Sequence, residues 1–290
     1  TVRRGLAGAL LALLCGCSGT VAGEAAYGGE DAAKPTVPPA GLGGVDPAGP
    51  PVVGTCYTIG EGQAQTPLNP PPPVDCTGEH NAETAVADDS GLGAGAAYPT
   101  EAEVGDTGTP IGAAVEQVCS LTVVTDYLGG DELDDPYAYF APYLPNEEQW
   151  AAGARWLRCD VFYGYAEPEP APGVMAGALT GAEAAAYRVC FVGTPTDYGV
   201  VPCSKEHDAE PVGVEIADLP ENAPYPDEAT RQGLVGSCAE PVEAYVGGPM
   251  PLGYVADVWI DSAQEWEAYP YARCVLVPAG GGRTTTSVRG

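Results

Sequence analysis

Two ordered sets of four cysteines constrain the fold of this 290-residue chain more than any other feature. The sets are Cys56, Cys76, Cys119 and Cys159, then Cys190, Cys203, Cys238 and Cys274. The second cysteine of each set opens the pattern Cys-x-x-x-His-x-x-Glu, which contains His80 with Glu83 and His207 with Glu210. A Tyr-x-Gly-Gly sequence follows each third cysteine, and a tryptophan precedes each fourth. These matches in the same order indicate that one module was duplicated in tandem.

The eight cysteines predict four disulfide bonds, because thiols oxidise outside the cytoplasm and remain paired there. If each set closes its own bonds, three pairings remain in each set. We favour pairing the first cysteine with the second and the third with the fourth. Cys190 and Cys203 flank a predicted hairpin, and a cysteine on the predicted helix can reach the last strand. Metal–thiolate sites are the disfavoured alternative, since the chain has no Cys-x-x-Cys pair.

Residue patterns predict an α+β fold. Helical spacing of apolar residues predicts one main helix in each module, at residues 111–127 and 227–245, the first ending at Gly129-Gly130. The predicted strands are residues 53–59, 74–87 and 156–163, then 187–192, 200–203, 211–216 and 272–277. The proline-rich residues 67–73 form a loop. We therefore predict two tandem disulfide-stapled modules, each with one main helix packed on a small antiparallel sheet.

The N-terminus resembles a bacterial lipoprotein signal. Two arginines precede a short apolar run, residues 6–14, which is too short to span a bilayer. The run ends in Leu14-Cys15-Gly16-Cys17, which resembles a lipobox and implies cleavage after residue 16 and a lipid anchor on Cys17 in the membrane. Residues 17–52 contain few bulky apolar side chains and are predicted to be a flexible, disordered linker. A loose tail is predicted for residues 279–290.

Charge and missing motifs exclude several functions. The chain has 40 acidic and 11 basic residues, a formal charge of −29, so we predict no nucleic-acid partner. It lacks a Gly-x-Ser-x-Gly turn and a phosphate-binding loop, and no Gly-x-Gly-x-x-Gly segment follows a strand. We therefore predict no cofactor, no metal and no catalytic residue.

Part of the chain resembles the septum formation domain of actinobacterial membrane proteins and lipoproteins. The resemblance rests on Gly54-Thr55-Cys56, Val74-Asp75-Cys76 with His80 and Glu83, Trp150 with Gly153, Arg155 and Cys159, and Leu179-Thr180-Gly181. It places one module at residues 53–182 and a second at residues 183–278. The second departs further from the pattern, because residues 268–271 replace the Gly-x-Arg step. The resemblance implies a role near the division septum, with a cell-envelope or cell-division protein as partner.

The two His–Glu elements have two interpretations. His80 with Glu83, and His207 with Glu210, could bind a partner or form a metal or acid–base site. Alternatively, each histidine caps the turn after the disulfide cysteine and bonds to its glutamate or to backbone, the commoner role for a lone histidine. The aromatic residues between 137 and 156 also have two interpretations, because tyrosine and tryptophan occur both on recognition surfaces and in hydrophobic cores.

We expect a non-catalytic, lipid-anchored protein on the outer face of the cell membrane, whose two modules bind an envelope partner. Duplication favours this, because a second active site is rarely needed. The alternatives are an extracellular cell-wall hydrolase that uses carboxylates and a metal-binding envelope protein. A hydrolase requires two carboxylates about 5–10 Å apart in one cleft. Metal binding requires exposed histidines and glutamates that converge.

Overall fold

Antiparallel strands and short helices alternate along the chain in the computed structural model, which describes residues 49, 51–60, 62–215, 223–260, 262–268 and 270–289. The predicted signal segment, Cys17 and nearly all of the predicted linker lie outside these residues. Within the described ranges, no helix combines the length and the apolar character needed to cross a bilayer.

The described residues form ten strands in three antiparallel sheets, together with seven α-helices. The strands are β1 (Cys56–Tyr57), β2 (Pro73–Val74), β3 (Ala82–Asp89), β4 (Ala138–Tyr143), β5 (Trp156–Tyr163), β6 (Val189–Thr194), β7 (Asp197–Pro202), β8 (Glu210–Glu215), β9 (Tyr254–Ile260) and β10 (Ala272–Pro278). The helices are α1 (Glu101–Val104), α2 (Pro110–Val118), α3 (Leu121–Leu128), α4 (Glu147–Ala151), α5 (Glu228–Leu234), α6 (Ala239–Val246) and α7 (Ala263–Ala268). The mixed composition and the antiparallel pairing agree with the predicted class.

The first half contains one five-stranded sheet, and the second half contains two smaller ones. The strand orders are β2-β1-β3-β5-β4 in the first half, then β8-β10-β9 and β6-β7 in the second. The prediction of one small sheet in each module is therefore wrong for the second half. Strands β4 and β9 were not predicted, and each becomes a sheet edge.

The helix predicted for residues 111–127 is two helices, α2 and α3. At Cys119 the backbone is extended, and this residue is joined to Cys159 by a disulfide. Ser120 then accepts a hydrogen bond from the N–H of Val123 and begins α3. The serine cap and the extended cysteine interrupt the helix even though the apolar spacing continues through this point.

The helix predicted for residues 227–245 begins where expected. Asp227 caps α5 by accepting from the N–H of Thr230. A 3-10 segment, Val235–Cys238, then separates α5 from α6, so this helix is also divided. Gly247 ends α6 in the left-handed conformation, with φ of 67°, which explains the Gly-Gly that follows each tyrosine in the repeat.

All eight paired cysteines are bonded as predicted, first to second and third to fourth in each set. The bonds are Cys56–Cys76, Cys119–Cys159, Cys190–Cys203 and Cys238–Cys274. In each half, one bond closes the N-terminal strands, and the other fastens a helical segment to the last long strand, β5 or β10.

One hydrophobic cluster contains buried residues of both halves. Val124, Leu128 and Val161 from the first half pack in the same cluster as Phe191 and Val275 from the second. Because burial of apolar area drives folding, this shared cluster couples the halves. The two predicted modules are therefore packed together in one compact unit within the described chain.

Ion pairs also join the halves. The acidic segment after α3 faces three arginines of the second half: Arg289 with Asp131, Arg188 with Asp134, and Arg273 with Asp135. The Arg188–Asp134 pair is the most buried, with side chains only 4% and 3% exposed and a nitrogen–oxygen distance of 2.9 Å. We define these six residues as the ionic seam.

The prediction of a loose tail from residue 279 is wrong for the described residues up to 289. Thr284 exchanges two backbone hydrogen bonds with His207, at 2.9 and 3.0 Å. The N–H of Val288 donates to the carboxylate of Glu210 at 2.7 Å. The glycine and threonine composition concealed this docking, because the bonds depend on a buried acceptor far away in sequence.

Candidate functional site

Glu83 lies at the centre of a buried polar cluster in the first half. Its Oε1 lies 3.1 Å from Nε2 of His80 and accepts from the backbone N–H of Met175 at 2.8 Å. Its Oε2 accepts from the phenol of Tyr127 at 2.6 Å. Nδ1 of His80 lies 3.0 Å from the carbonyl oxygen of Gly78. Since both ring nitrogens face acceptors, this arrangement favours the doubly protonated imidazolium, and the hydrogen bond to Glu83 raises the pKa of His80.

Glu210 has the corresponding place in the second half. Its Oε1 accepts from the phenol of Tyr245 at 2.8 Å and from the hydroxyl of Ser287 at 2.7 Å. Its Oε2 accepts from the N–H of Val288 at 2.7 Å. A tyrosine from the helix before the Gly-Gly and a backbone N–H from a late loop therefore hold both glutamates.

His207 differs from His80 in one bond. Its Nδ1 lies 2.8 Å from the carbonyl oxygen of Lys205, two residues earlier, and Nδ1 of His80 lies 3.0 Å from the corresponding carbonyl oxygen of Gly78. Its Nε2 is buried and has no hydrogen-bond partner among the residues that the structure describes. The hydroxyl of Ser287 takes the position on Glu210 that a histidine takes on Glu83. The turn-capping bond is therefore common to both copies, and the His–Glu bond is confined to the first.

Burial and bonding fit the structural interpretation of both His–Glu elements. The four side chains are at most 3% exposed. Sγ of Cys56 and ligand atoms of His80 and Glu83 lie within 4.8 Å of one another, but that sulfur is in a disulfide and carries no thiolate. The exposure that the metal-binding alternative requires is not met.

The aromatic residues between 137 and 156 lie mainly in the core. Tyr137, Tyr143, Trp150 and Trp156 are each at most 5% exposed. Trp150 donates from its indole N–H to the carbonyl oxygen of Ala96 at 3.1 Å. Packing explains most of this cluster, so it is not an open recognition surface as a whole.

Arg158 and Asp160 form a buried ion pair beside the Cys119–Cys159 disulfide. Nη2 of Arg158 lies 3.0 Å from Oδ2 of Asp160, at an angle outside that of a hydrogen bond, so we treat the contact as charge attraction. Nη1 donates to the phenol oxygen of Tyr57 at 2.6 Å, and the guanidinium lies 4.0 Å from that ring centroid. Burial raises the pKa of Asp160 to about 6, although Arg158 opposes the shift.

We expect the free energy of unfolding to fall as the pH rises from about 4 to about 8. The Asp160 carboxyl, whose pKa is raised to about 6, contributes stability that is complete below the unfolded pKa and is lost as the pH rises through 6. His80, whose pKa is also raised, contributes stability that is complete below about pH 6.5 and is lost above it. Urea unfolding at half-unit pH steps measures this slope. His80→Asn is expected to flatten its upper part, and stability that rises between pH 6 and 8 would contradict the prediction.

Nearly all of the described basic residues form ion pairs or hydrogen bonds with other groups of the chain. Three of the eleven, Arg3, Arg4 and Lys34, lie outside the described residues, and eight lie within them. Seven of these eight bond to carboxylates or backbone carbonyls: Arg155, Arg158, Arg188, Arg231, Arg273, Arg283 and Arg289. The eighth, Lys205, is exposed. The described surface therefore presents many carboxylates and few opposing charges, which suits a cationic partner.

Two clefts differ in the chemistry of their lining, one formed by residues of both halves and the other by residues of the first half. The tyrosine cleft, about 520 Å³, is lined by Tyr137, Tyr165, Ala166, Glu167, Glu169, Thr196, Asp197, Tyr198, Gly199, Val200, Ser262 and Tyr271. The proline cleft, about 340 Å³, is lined by Gly49, Pro51, Val52, Thr55, Tyr57, Pro70, Pro71, Pro72, Pro73, Asn146, Gln149, Trp156 and Arg158. The first is acidic and the second mainly apolar.

Sequence reasoning missed two sets of residues in these sites. Tyr127 and Tyr245 were recognised as repeat positions, but not as the donors that hold the buried glutamates. Arg158 and Arg273 were not singled out, although each directly precedes the last cysteine of its set. The shared Arg-Cys dipeptide was the signal that could have found them.

These features define a disulfide-braced α+β domain in which both His–Glu elements are buried. The chain belongs to the septum formation family, whose profile it matches over residues 53–268. The match is continuous, so it spans both predicted modules instead of ending at residue 182. Membership of this family connects the chain with cell division. No curated protein and no solved structure gives a significant match to the chain.

Proposed function

We propose that the chain is a non-catalytic protein anchored by lipid to the outer face of an actinobacterial-type cell membrane, where it binds a cell-envelope or cell-division partner. The observation that carries this proposal is the burial of both repeated glutamates. Each accepts three hydrogen bonds from its own half. The most distinctive repeated motif therefore serves the fold, and the open clefts remain for binding.

Corresponding contacts support tandem duplication as part of the proposal. Trp150 and Trp266 each donate an indole N–H to an alanine carbonyl oxygen, of Ala96 and Ala223, at 3.1 and 2.9 Å. Tyrosine rings meet both tryptophans edge-on at 5.7 and 5.8 Å between centroids. The backbone carbonyl oxygens of the two histidines accept from Ala171 and Thr284, four residues before Met175 and Val288. Independent convergence on all these contacts in the same order is improbable, so descent from one module explains them best.

Lipid anchoring predicts that the full chain is found in the membrane fraction of cells. We expect the chain, expressed in a bacterium with a lipoprotein signal peptide, to incorporate an alkyne-tagged fatty acid and to sediment with membranes. Cys17→Ala removes the only thiol that fits the lipobox spacing, so labelling should fall to background and the protein should leave the membrane fraction. Cys15→Ala is the matched control and should label normally. Equal labelling of wild type and Cys17→Ala would contradict the anchor.

A cell-wall hydrolase is the second candidate, because the tyrosine cleft gathers Glu167, Glu169 and Asp197. All three residues are exposed, whereas paired-carboxylate hydrolases shield their acid from water. Binding is therefore the better-supported function. Release of soluble sugar from purified peptidoglycan, abolished in Glu169→Gln, would establish hydrolysis and overturn the non-catalytic proposal.

A further inference from the structure

The tyrosine cleft and the proline cleft share several positions of the repeat in their linings, and the tyrosine cleft lies between the two halves. One wall of each is the segment three to six residues before the second cysteine of the set: residues 70–73 before Cys76, and residues 197–200 before Cys203. The equivalence follows from the disulfides, since Cys56–Cys76 and Cys190–Cys203 fix these segments against β1 and β6.

Two further positions of the repeat line both clefts. Asn146 and Ser262 each stand four residues before the repeated tryptophan, at the start of α4 and α7. Trp156 and Tyr271 each stand two residues before the arginine that precedes the last cysteine. These positions of the repeat are common to both clefts, whereas Tyr137, Tyr165, Glu167 and Glu169 of the first half line the tyrosine cleft and supply most of its charge.

The lining of the tyrosine cleft suits a cation. Tyr137, Tyr165, Tyr198 and Tyr271 line it together with three carboxylates, and among the described residues no lysine or arginine lines it. The neighbouring Arg273 has its guanidinium 5.2 Å from the Tyr271 ring, but Asp135 engages that charge at 2.6 Å. Aromatic faces and carboxylates attract an ammonium or guanidinium group together.

The cleft is also partly preorganised. Tyr137 donates to Oε1 of Glu169 at 2.6 Å, which fixes that carboxylate. The Tyr198 ring packs 4.5 Å from the Phe191 ring and 5.4 Å from the Trp259 ring, centroid to centroid. Groups held in place before binding lose less entropy when a ligand arrives.

One wall offers main-chain groups as well as side chains. Asp197, Tyr198, Gly199 and Val200 belong to β7, which pairs with β6 and with no other strand in the described part of the chain. An extended peptide can add to such an edge through backbone hydrogen bonds and place alternate side chains into a pocket. The geometry therefore favours a polypeptide segment over a small free cation.

We propose that the tyrosine cleft is a docking site for an extended polypeptide segment whose lysine or arginine side chain lies between the tyrosine rings and the three carboxylates. The proposal rests on the proposed function and names the chemistry of the partner. No carboxylate is among the described lining residues of the proline cleft, so the cationic specificity is confined to the tyrosine cleft, to which both halves contribute carboxylates.

Binding of labelled peptides to the full chain in detergent tests this proposal. The probes are a fluorescein-labelled decapeptide of alternating lysine and threonine, and the same peptide with glutamate in place of lysine. We expect fluorescence anisotropy to show binding of the lysine peptide only, weakening as salt increases. The triple variant Glu167→Gln, Glu169→Gln, Asp197→Asn should bind about tenfold more weakly, because three exposed charge interactions are lost.

A charge-matched control separates the cleft from the general acidity of the protein. Glu148, Glu240 and Glu243 are exposed and do not line the cleft, so their triple replacement by glutamine should change affinity by less than about twofold. Hydrogen exchange should show protection of residues 197–200 on binding. Equal weakening in both triple variants, or no binding by the wild type, would overturn the docking site. Neither result bears on lipid labelling at Cys17, which tests the proposed function separately.

Discussion

Replacing Glu83 by alanine is expected to lower the free energy of unfolding by about 3–5 kcal/mol. The carboxylate is fully buried and accepts from Tyr127 and the N–H of Met175, as well as contacting His80. Removal leaves these donors in the protein interior without an acceptor, and a buried unsatisfied donor costs about 1–3 kcal/mol. Chemical denaturation at pH 7 measures the loss.

Two further variants test whether the loss of stability is specific to the buried glutamates. Glu79 is exposed and close in sequence, so Glu79→Ala should change stability by less than about 0.5 kcal/mol. Glu210→Ala should resemble Glu83→Ala, because three donors of the second half depend on that carboxylate. A loss below about 1 kcal/mol in Glu83→Ala would show that the cluster does not stabilise the fold as its geometry implies.

Removal of the Cys119–Cys159 disulfide by replacing both residues with alanine should cost about 4 kcal/mol. The bond closes a loop with a sequence separation of 40, and the chain-entropy estimate grows with the length of the closed loop. The residues are also buried between α2 and β5, so the two small cavities add to the loss. Urea unfolding under oxidising conditions measures it.

The Cys190–Cys203 bond provides the comparison. It closes a separation of 13 within the β6–β7 hairpin, and the same estimate gives about 3 kcal/mol. Its double alanine variant should therefore be the more stable of the two. A larger loss for the hairpin bond would mean that loop length does not decide the ranking and would contradict this account.

Local features of the sequence predicted much of the secondary structure. Strand β5 was predicted with the bounds that the structure shows. Residues 156–163 are rich in aromatic and apolar side chains and include the disulfide-bonded Cys159. The disulfide pairing also followed from local order, since each bond joins neighbouring cysteines of a set. The predicted main helix in the first half was wrong because apolar spacing does not report the Ser120 cap.

The candidate site was less predictable. The glutamates and histidines were found as a pattern, but their partners Tyr127 and Tyr245 lie 44 and 35 residues away. The tyrosine cleft combines residues from before β4, after β5, on β7 and around α7. No local pattern relates such positions, because their proximity depends on the packing of both halves.

The sequence by itself determined the two ordered sets of cysteines and their pairing, the membership of the family and the strong negative charge, since these depend on residue identity and order. Only the tertiary structure decided that one hydrophobic cluster contains residues of both halves and that the ionic seam joins them. It also decided that the tail docks on Glu210 and that two clefts with shared repeat positions differ in charge. The physical reason is that burial and ion pairing between residues far apart in sequence depend on how the two halves pack against each other. Local sequence patterns do not specify that packing.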